Sequence, residues 1–105
     1  MVFIETSIFT RQILDLISDD HLRALQEWIA TSPAAGNLIK GSGGCRKLRW
    51  STKATGKRGG IRIIYYWMKD RDLVLLLLAY AKSRTDDLSQ TQIKMLGEIV
   101  KLEIG

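Results

Sequence analysis

No aspartate or glutamate occurs from residue 28 to residue 69, although the chain of 105 residues holds eleven acids. The same stretch carries nine of the sixteen lysines and arginines: Lys40, Arg46, Lys47, Arg49, Lys53, Lys57, Arg58, Arg62 and Lys69. Seven bases and all eleven acids lie outside it, so the formal charge of +5 is a +9 block set in a remainder of −4. Positive charge confined to one segment builds a directed field, and the commonest polyanion in a cell is nucleic acid.

Other scarcities exclude further classes. One cysteine, Cys45, can form no internal disulfide, which suits a reducing compartment. It has no Cys or His at metal-ligand spacing and reads as a small structural thiol. The only histidine, His21, stands at the start of a helix far in sequence from the basic block. A surface imidazole is its plain reading, and a paired-histidine proton shuttle is not available. The longest apolar run, Leu73 to Ala81, is about half of what a membrane helix needs. No charged n-region with an apolar core opens the chain, so the expected location is cytoplasmic, with no membrane partner.

What is present reads as a single domain over residues 1–105. Val2 to Glu5 suits a short strand, and either Thr6 or Ser7 can cap the helix that follows. Phe9, Ile13 and Leu16 or Ile17 recur at helical spacing, and a second helix carries Leu22, Leu25 and Ile29 until the only proline, Pro33. Gly36 and Gly41-Ser42-Gly43-Gly44 form a loop; the latter lacks the Lys-Ser/Thr ending of a phosphate loop. Cys45 to Trp50 reads as a strand, Ser51 to Gly60 as a basic loop, and Ile61 to Met68 as a β-branched and aromatic strand. After a polar turn, Leu73 to Lys82 suits a central strand covered on both faces over part of its length. Ser89 and Gln92 stand at capping-box spacing, flanked by Leu88 and Ile93 as a hydrophobic staple, and predict a helix from about Gln90. The expectation is an α+β fold of order β-α-α-β-β-β-α, with the helical hairpin and the C-terminal helix on one face of a small antiparallel sheet.

Alternate strand residues share a face, so Lys47 projects with Arg49, Tyr80 with Lys82, and Arg62 with Ile64 and Tyr66. Whether Arg49, Arg62 and Lys82 meet depends on register. Taken singly, each is an exposed charge that protects a sheet edge. As a set they are more, because a solvated edge has no need to exclude acids over so long a stretch. Cations and a phenol without carboxylates suit a phosphate backbone and not a divalent metal, so no metal or cofactor is expected. RNA supplies a nucleophile as its own 2′-hydroxyl, and clustered cations can stabilise the charge that builds on the phosphoryl oxygens. Asp86-Asp87, just before the Ser89 cap, favour the helix dipole and are not a catalytic pair. Trp28, Trp50 and Trp67 suit core, although Trp50 beside Arg49 has the position for a base-stacking platform.

The segments Gly43-Gly44-Cys45-Arg46-Lys47-Leu48-Arg49, Gly56-Lys57-Arg58-Gly59-Gly60, Ile61-Arg62-Ile63-Ile64-Tyr65-Tyr66, Tyr80-Ala81-Lys82 and Asp86-Asp87-Leu88, in that order behind a helical hairpin, resemble the RelE/HigB superfamily of type II toxin-antitoxin toxins. The HigB branch is the most similar. The resemblance implies a toxin that cuts translated mRNA in the ribosomal A site by metal-free 2′-hydroxyl attack. It also implies a neutralising antitoxin and binding of operator DNA through the toxin-antitoxin complex. Position by position it implies catalytic roles for Lys47, Arg49, Arg62 and Lys82, with Tyr80 and Arg84 in support and Arg46, Lys53, Lys57 and Arg58 on RNA or ribosome. The best-known relatives carry a further arginine and then a tyrosine beyond the last strand, where this chain reads Ser83-Arg84-Thr85-Asp86-Asp87. Arg84 stands for the arginine, and no local residue stands for the tyrosine. A same-fold toxin acting on DNA gyrase and a non-catalytic nucleic-acid-binding module are the competing readings. An acidic segment of the antitoxin suits the basic face, and an amphipathic helix suits an apolar surface beside the hairpin.

Overall fold

The computed structural model describes residues 1–51, 60–82 and 88–104. Its elements are β1 (Val2–Glu5), α1 (Ser7–Leu14), α2 (Asp19–Thr31), β2 (Asn37–Leu38), β3 (Arg46–Trp50), β4 (Ile61–Met68), a 3-10 turn (Lys69–Arg71), β5 (Leu73–Ala81) and α3 (Gln90–Ile104). Local chemistry accounts for the helix starts. Thr6 Oγ1 accepts from the Phe9 amide at 3.0 Å, and Ser18 Oγ from the His21 amide at 3.2 Å. At α3 the capping box closes in both directions, Ser89 N to Gln92 Oε1 at 2.8 Å and Gln92 N to Ser89 Oγ at 3.1 Å. Each such cap stabilises its helix by about 1 kcal/mol.

The α+β class and the expected elements are present, and β2 adds a short strand that the sequence did not announce. Two details differ from expectation. The five strands lie in the order β1-β5-β4-β3-β2, and β1 pairs parallel with β5, so the sheet is mixed. A parallel pair needs a long connection between its strands, which the helical hairpin and the meander supply. The second difference is the side taken by α3. Phe9, Ile13, Ile17, Leu25 and Ile29 of the hairpin pack on Ile61, Ile63, Tyr65, Val74 and Leu76. Leu96 and Val100 of α3 pack on Cys45, Ile64, Met68, Leu75 and Leu77, which are the other face. The cause is composition: β4 and β5 are apolar at consecutive positions, and burying both of their faces requires helices on both sides.

α3 places Gly97 where the glycine loop passes. A Cβ there would stand 3.5 Å from the backbone carbonyl of Ser42. The Gly41–Gly44 loop is thus the seat of the last helix. Ser42 is buried within it, donating to the Ile39 carbonyl at 2.7 Å and accepting from the Cys45 amide at 3.0 Å. The Cys45 thiol is buried beside it and its pKa is pushed up by that burial, as suits a structural role.

One irregularity in β5 decides the site. Ile64 pairs with Leu78 but Tyr65 pairs with Leu76, which leaves Leu77 as an inserted residue, a β-bulge. Leu77 and Leu78 therefore both contribute to the α3 face, and the alternation restarts one residue out of phase. Ala79 turns to the hairpin side and Tyr80 to the α3 side. Beyond the end of β1, the exposed edge of β5 is capped by side chains. Thr6 Oγ1 donates to the Leu77 carbonyl at 2.8 Å, and Gln12 Oε1 accepts from the Ala79 amide at 2.9 Å. Among the described residues no helix is long and apolar enough to cross a membrane.

Candidate nucleic-acid interface

The pairing register carries one row of polar residues across three strands: Arg49 lies opposite Arg62, and Arg62 opposite Tyr80. Two residues earlier on β3, Lys47 faces Ile64 on one side and Asn37 of β2 on the other. Because alternate residues share a face, these side chains stand on the side that α3 covers only in part. There they form a cavity of about 240 Å³ lined by Asn37, Lys47, Arg49, Arg62 and Lys82. Among the described residues no carboxylate lines it. The volume lies below the roughly 300–1,000 Å³ of pockets that enclose a small molecule. It suits an extended chain that lays one phosphate and its ribose across the opening.

Arg62 is the centre of this arrangement. It is 6% exposed, and apart from Ser42 it is the one buried polar residue among those described. Its strand neighbours Ile61 and Ile63 are fully buried, so the backbone that carries it is fixed by packing. Its guanidinium shares the cavity wall with Lys47, Arg49 and Lys82. Such a set of donors has the chemistry to hold an anion such as a phosphate.

Lys82 enters through the bulge and through Gly60. Without the inserted Leu77, alternation would have aimed Tyr80 and Lys82 at the hairpin side. The Lys82 amide donates to the Gly60 carbonyl at 3.3 Å. Gly60 itself is pinned, with φ +73° and a Cβ position only 2.4 Å from the Trp50 carbonyl oxygen. Gly60 at the start of β4 thus meets the end of β5 through the Lys82 amide and the end of β3 through Trp50. Tyr80 stands beside Arg62 in register and packs on the α3-side core, while the cavity wall itself is made by the other residues.

Several expected residues stand elsewhere. Arg46 turns to the other face, where its Nη1 donates to the carbonyls of Ala34 at 3.0 Å and Gly36 at 2.8 Å. It is not brought to the cavity. Trp50 also faces the hairpin, in an edge-to-face contact with Trp28 at 6.3 Å between ring centroids, so it offers no platform at the site. His21 remains at the start of α2. Lys53, Lys57 and Arg58, the supporting candidate Arg84, and Asp86-Asp87 lie outside the described residues.

Sequence reasoning missed Asn37 and the clamp that holds it. The Tyr65 hydroxyl donates to the Pro33 carbonyl at 2.8 Å and accepts from the Gly36 amide at 2.9 Å. Burial pushes the phenol's pKa up, while the Gly36 hydrogen bond and the Arg46 charge act in the opposite direction. Gly36 has no room for a side chain: a Cβ would lie 2.9 Å from both the Tyr65 hydroxyl and its ring. Tyr65 and Arg46 thus fix the turn that delivers Asn37 to the cavity. The only sequence signal was Pro33 followed by Gly36, which marks a turn but not its destination. Tyr65→Phe is expected to lower stability by about 1–3 kcal/mol, because the buried Gly36 amide loses its acceptor. Urea unfolding monitored by tryptophan fluorescence measures it, and an unchanged midpoint would show that the clamp carries no load.

A larger cavity of about 540 Å³ lies between the glycine loop and α3, lined by Gly41, Gly43, Lys94, Gly97, Glu98, Val100 and Lys101. Its charges are of mixed sign and spread along one helix flank, so its size carries no matching chemistry. Among the described residues no group of three His, Cys, Asp or Glu is placed to hold a metal ion.

No family model matches the chain. Among solved structures, the chain is similar to the E. coli toxin RelE in the free state, in a form with two arginine-to-alanine substitutions. The TM-score is 0.59 at 15% sequence identity, over 81% of this chain and 86% of that one. What the two share at that identity is the fold.

Proposed function

We propose that this RelE-like fold serves here as the toxin of a type II toxin-antitoxin system of the HigB kind, a ribosome-dependent endoribonuclease that cuts translated mRNA. The observation that carries the reading is the cavity in which Lys47, Arg49, Arg62 and Lys82 converge, with no carboxylate among the described residues that line it. A surface that only holds a polyanion has no need to bury one guanidinium at the centre of three other cations.

In the proposed reaction the 2′-oxygen of the ribose attacks the adjacent phosphorus, and the bond to the 5′-oxygen breaks. The products are a 2′,3′-cyclic phosphate and a 5′-hydroxyl. Arg62 cannot give up its proton, so its work is electrostatic, on the phosphoryl oxygens as their charge grows. Lys47 and Lys82 are the lining groups that can exchange protons, one with the attacking hydroxyl and one with the leaving oxygen. Arg49, opposite Arg62, orients the chain through its phosphates. The donor set is one of nitrogen cations, so none of these steps calls on a metal held by the cavity. Tyr80 and Arg84 are proposed as support. Lys53, Lys57 and Arg58, which lie in sequence between the strands that carry Arg49 and Arg62, are proposed contacts to ribosomal RNA, while Arg46, held by two backbone carbonyls on the other face, is not.

An antitoxin that neutralises the chain would meet the cavity with acidic groups, and the pair is proposed to bind its own operator. The test is to map mRNA 5′ ends shortly after induction of the chain without its antitoxin. New ends inside translated codons are expected. Intact mRNA with altered DNA supercoiling would replace this reading with a gyrase-directed toxin, and salt-sensitive binding without either effect would leave a non-catalytic module.

A further inference from the structure

We infer that Asn37 reads the base next to the scissile phosphate, and so sets the sequence preference of cleavage; the inference rests on the nuclease reading above. Among the described residues five side chains line the cavity, and four of them are lysine or arginine. Those four can only donate hydrogen bonds, which matches phosphate and ribose oxygens and carries no sequence information. Asn37 alone among the five has an acceptor, its side-chain carbonyl oxygen, beside an NH2 donor. That pair is the complement of a base edge with an exocyclic amine next to a ring nitrogen, as in adenine or cytosine. The edge of guanine with two acceptors is instead matched by an arginine fork.

Position and support agree with this role. Asn37 lies directly opposite Lys47 in the β2–β3 pair, on the outer strand, at the rim rather than the floor of the cavity. A base splayed out from a single strand would pass there while its phosphate sits over Arg62. The residue before it is fixed from both sides, since the Gly36 amide donates to Tyr65 and the Gly36 carbonyl accepts from Arg46. The amide of Asn37 is therefore exposed to solvent on a backbone that is not free to turn away.

The experiment maps cleavage sites on translated mRNA for the parent, Asn37→Ala and Arg62→Ala, with thermal unfolding of each variant. Asn37 is exposed, so the alanine variant is expected to unfold as the parent does. For Asn37→Ala, the ratio of cleavage at adenine or cytosine to cleavage at guanine or uracil should shift by about tenfold, with total cleavage reduced much less than in Arg62→Ala. A base profile identical to the parent's, or a fall that is uniform over all four bases, would overturn the role of Asn37 and leave the nuclease reading intact. Absence of cleavage by the parent would overturn both.

Discussion

Arg62→Ala is expected to lower the rate of mRNA cleavage by about 10²–10³-fold, the cost of removing one preorganised donor from the position where charge develops. The argument rests on where the side chain sits. Arg62 is 6% exposed, on a strand position held by two fully buried isoleucines, with cations from β3 and the end of β5 around it. Water cannot replace a guanidinium in such a place as it would at the surface. Arg62→Lys should retain the charge but lose the fork that addresses two phosphoryl oxygens at once, and is expected to fall between the parent and the alanine variant. Quantitative primer extension on a reporter mRNA in a reconstituted translation reaction measures all three. Equal rates for parent and Arg62→Ala would remove Arg62 from the chemistry.

Gly60→Ala is expected to have the largest effect on folding. Its φ of +73° disfavours any L side chain by about 1–2 kcal/mol. The added Cβ would stand 2.4 Å from the Trp50 carbonyl oxygen, and neither partner is a flexible side chain that can swing aside. Conformational strain and the clash together are expected to cost at least about 3 kcal/mol. Relief of the clash would separate Gly60 from the end of β3 and carry with it the Lys82 amide that it holds. Cleavage should therefore fall even at temperatures where the variant stays folded. Urea unfolding and the same primer-extension assay read the two effects separately. A variant as stable as the parent would show that the close passage at Trp50 is absent.

What could be read from the sequence was what depends on neighbours in the chain. Thr6, Ser18 and the Ser89–Gln92 box cap helices through bonds that span three residues, and the periodicity of Phe9, Ile13, Leu25 and Ile29 identifies the hairpin stripe. The pairing of Lys47 with Arg49 on one face followed from strand alternation alone. Features that depend on distant pairing were not legible. The parallel docking of β1 on β5 joins residues about seventy positions apart, and no local pattern encodes its direction. α3 moves to the far face because β4 and β5 are apolar on both sides, a fact visible in the run Leu73 to Ala81 but not its consequence for a helix beyond it.

The site shows the same division. Arg49, Arg62 and Lys82 were identifiable as cations of the correct strands, yet their convergence needed the bulge at Leu77, which shifts the alternation by one and has no sequence mark of its own. Arg46, adjacent to Lys47, looks equivalent to it in composition and is directed to the opposite face by alternation, where two backbone carbonyls hold it. Asn37 belongs to a strand of two residues, shorter than any periodicity can report. Its place was set by Tyr65, which lies 29 residues from Gly36 in sequence and hydrogen-bonds to its amide.

The central claim is that the mRNA's own 2′-hydroxyl is the nucleophile, brought to reaction by the cation-lined cavity of Lys47, Arg49, Arg62 and Lys82. It is tested most directly with a translated mRNA that carries a single 2′-deoxynucleotide immediately 5′ to a mapped cleavage position. Cleavage at that position should be abolished, while neighbouring sites in the same molecule are cut as before and yield 2′,3′-cyclic phosphate and 5′-hydroxyl ends. Cleavage of the deoxy-substituted position at the parent rate would contradict the account, because the attacking oxygen would then come from elsewhere.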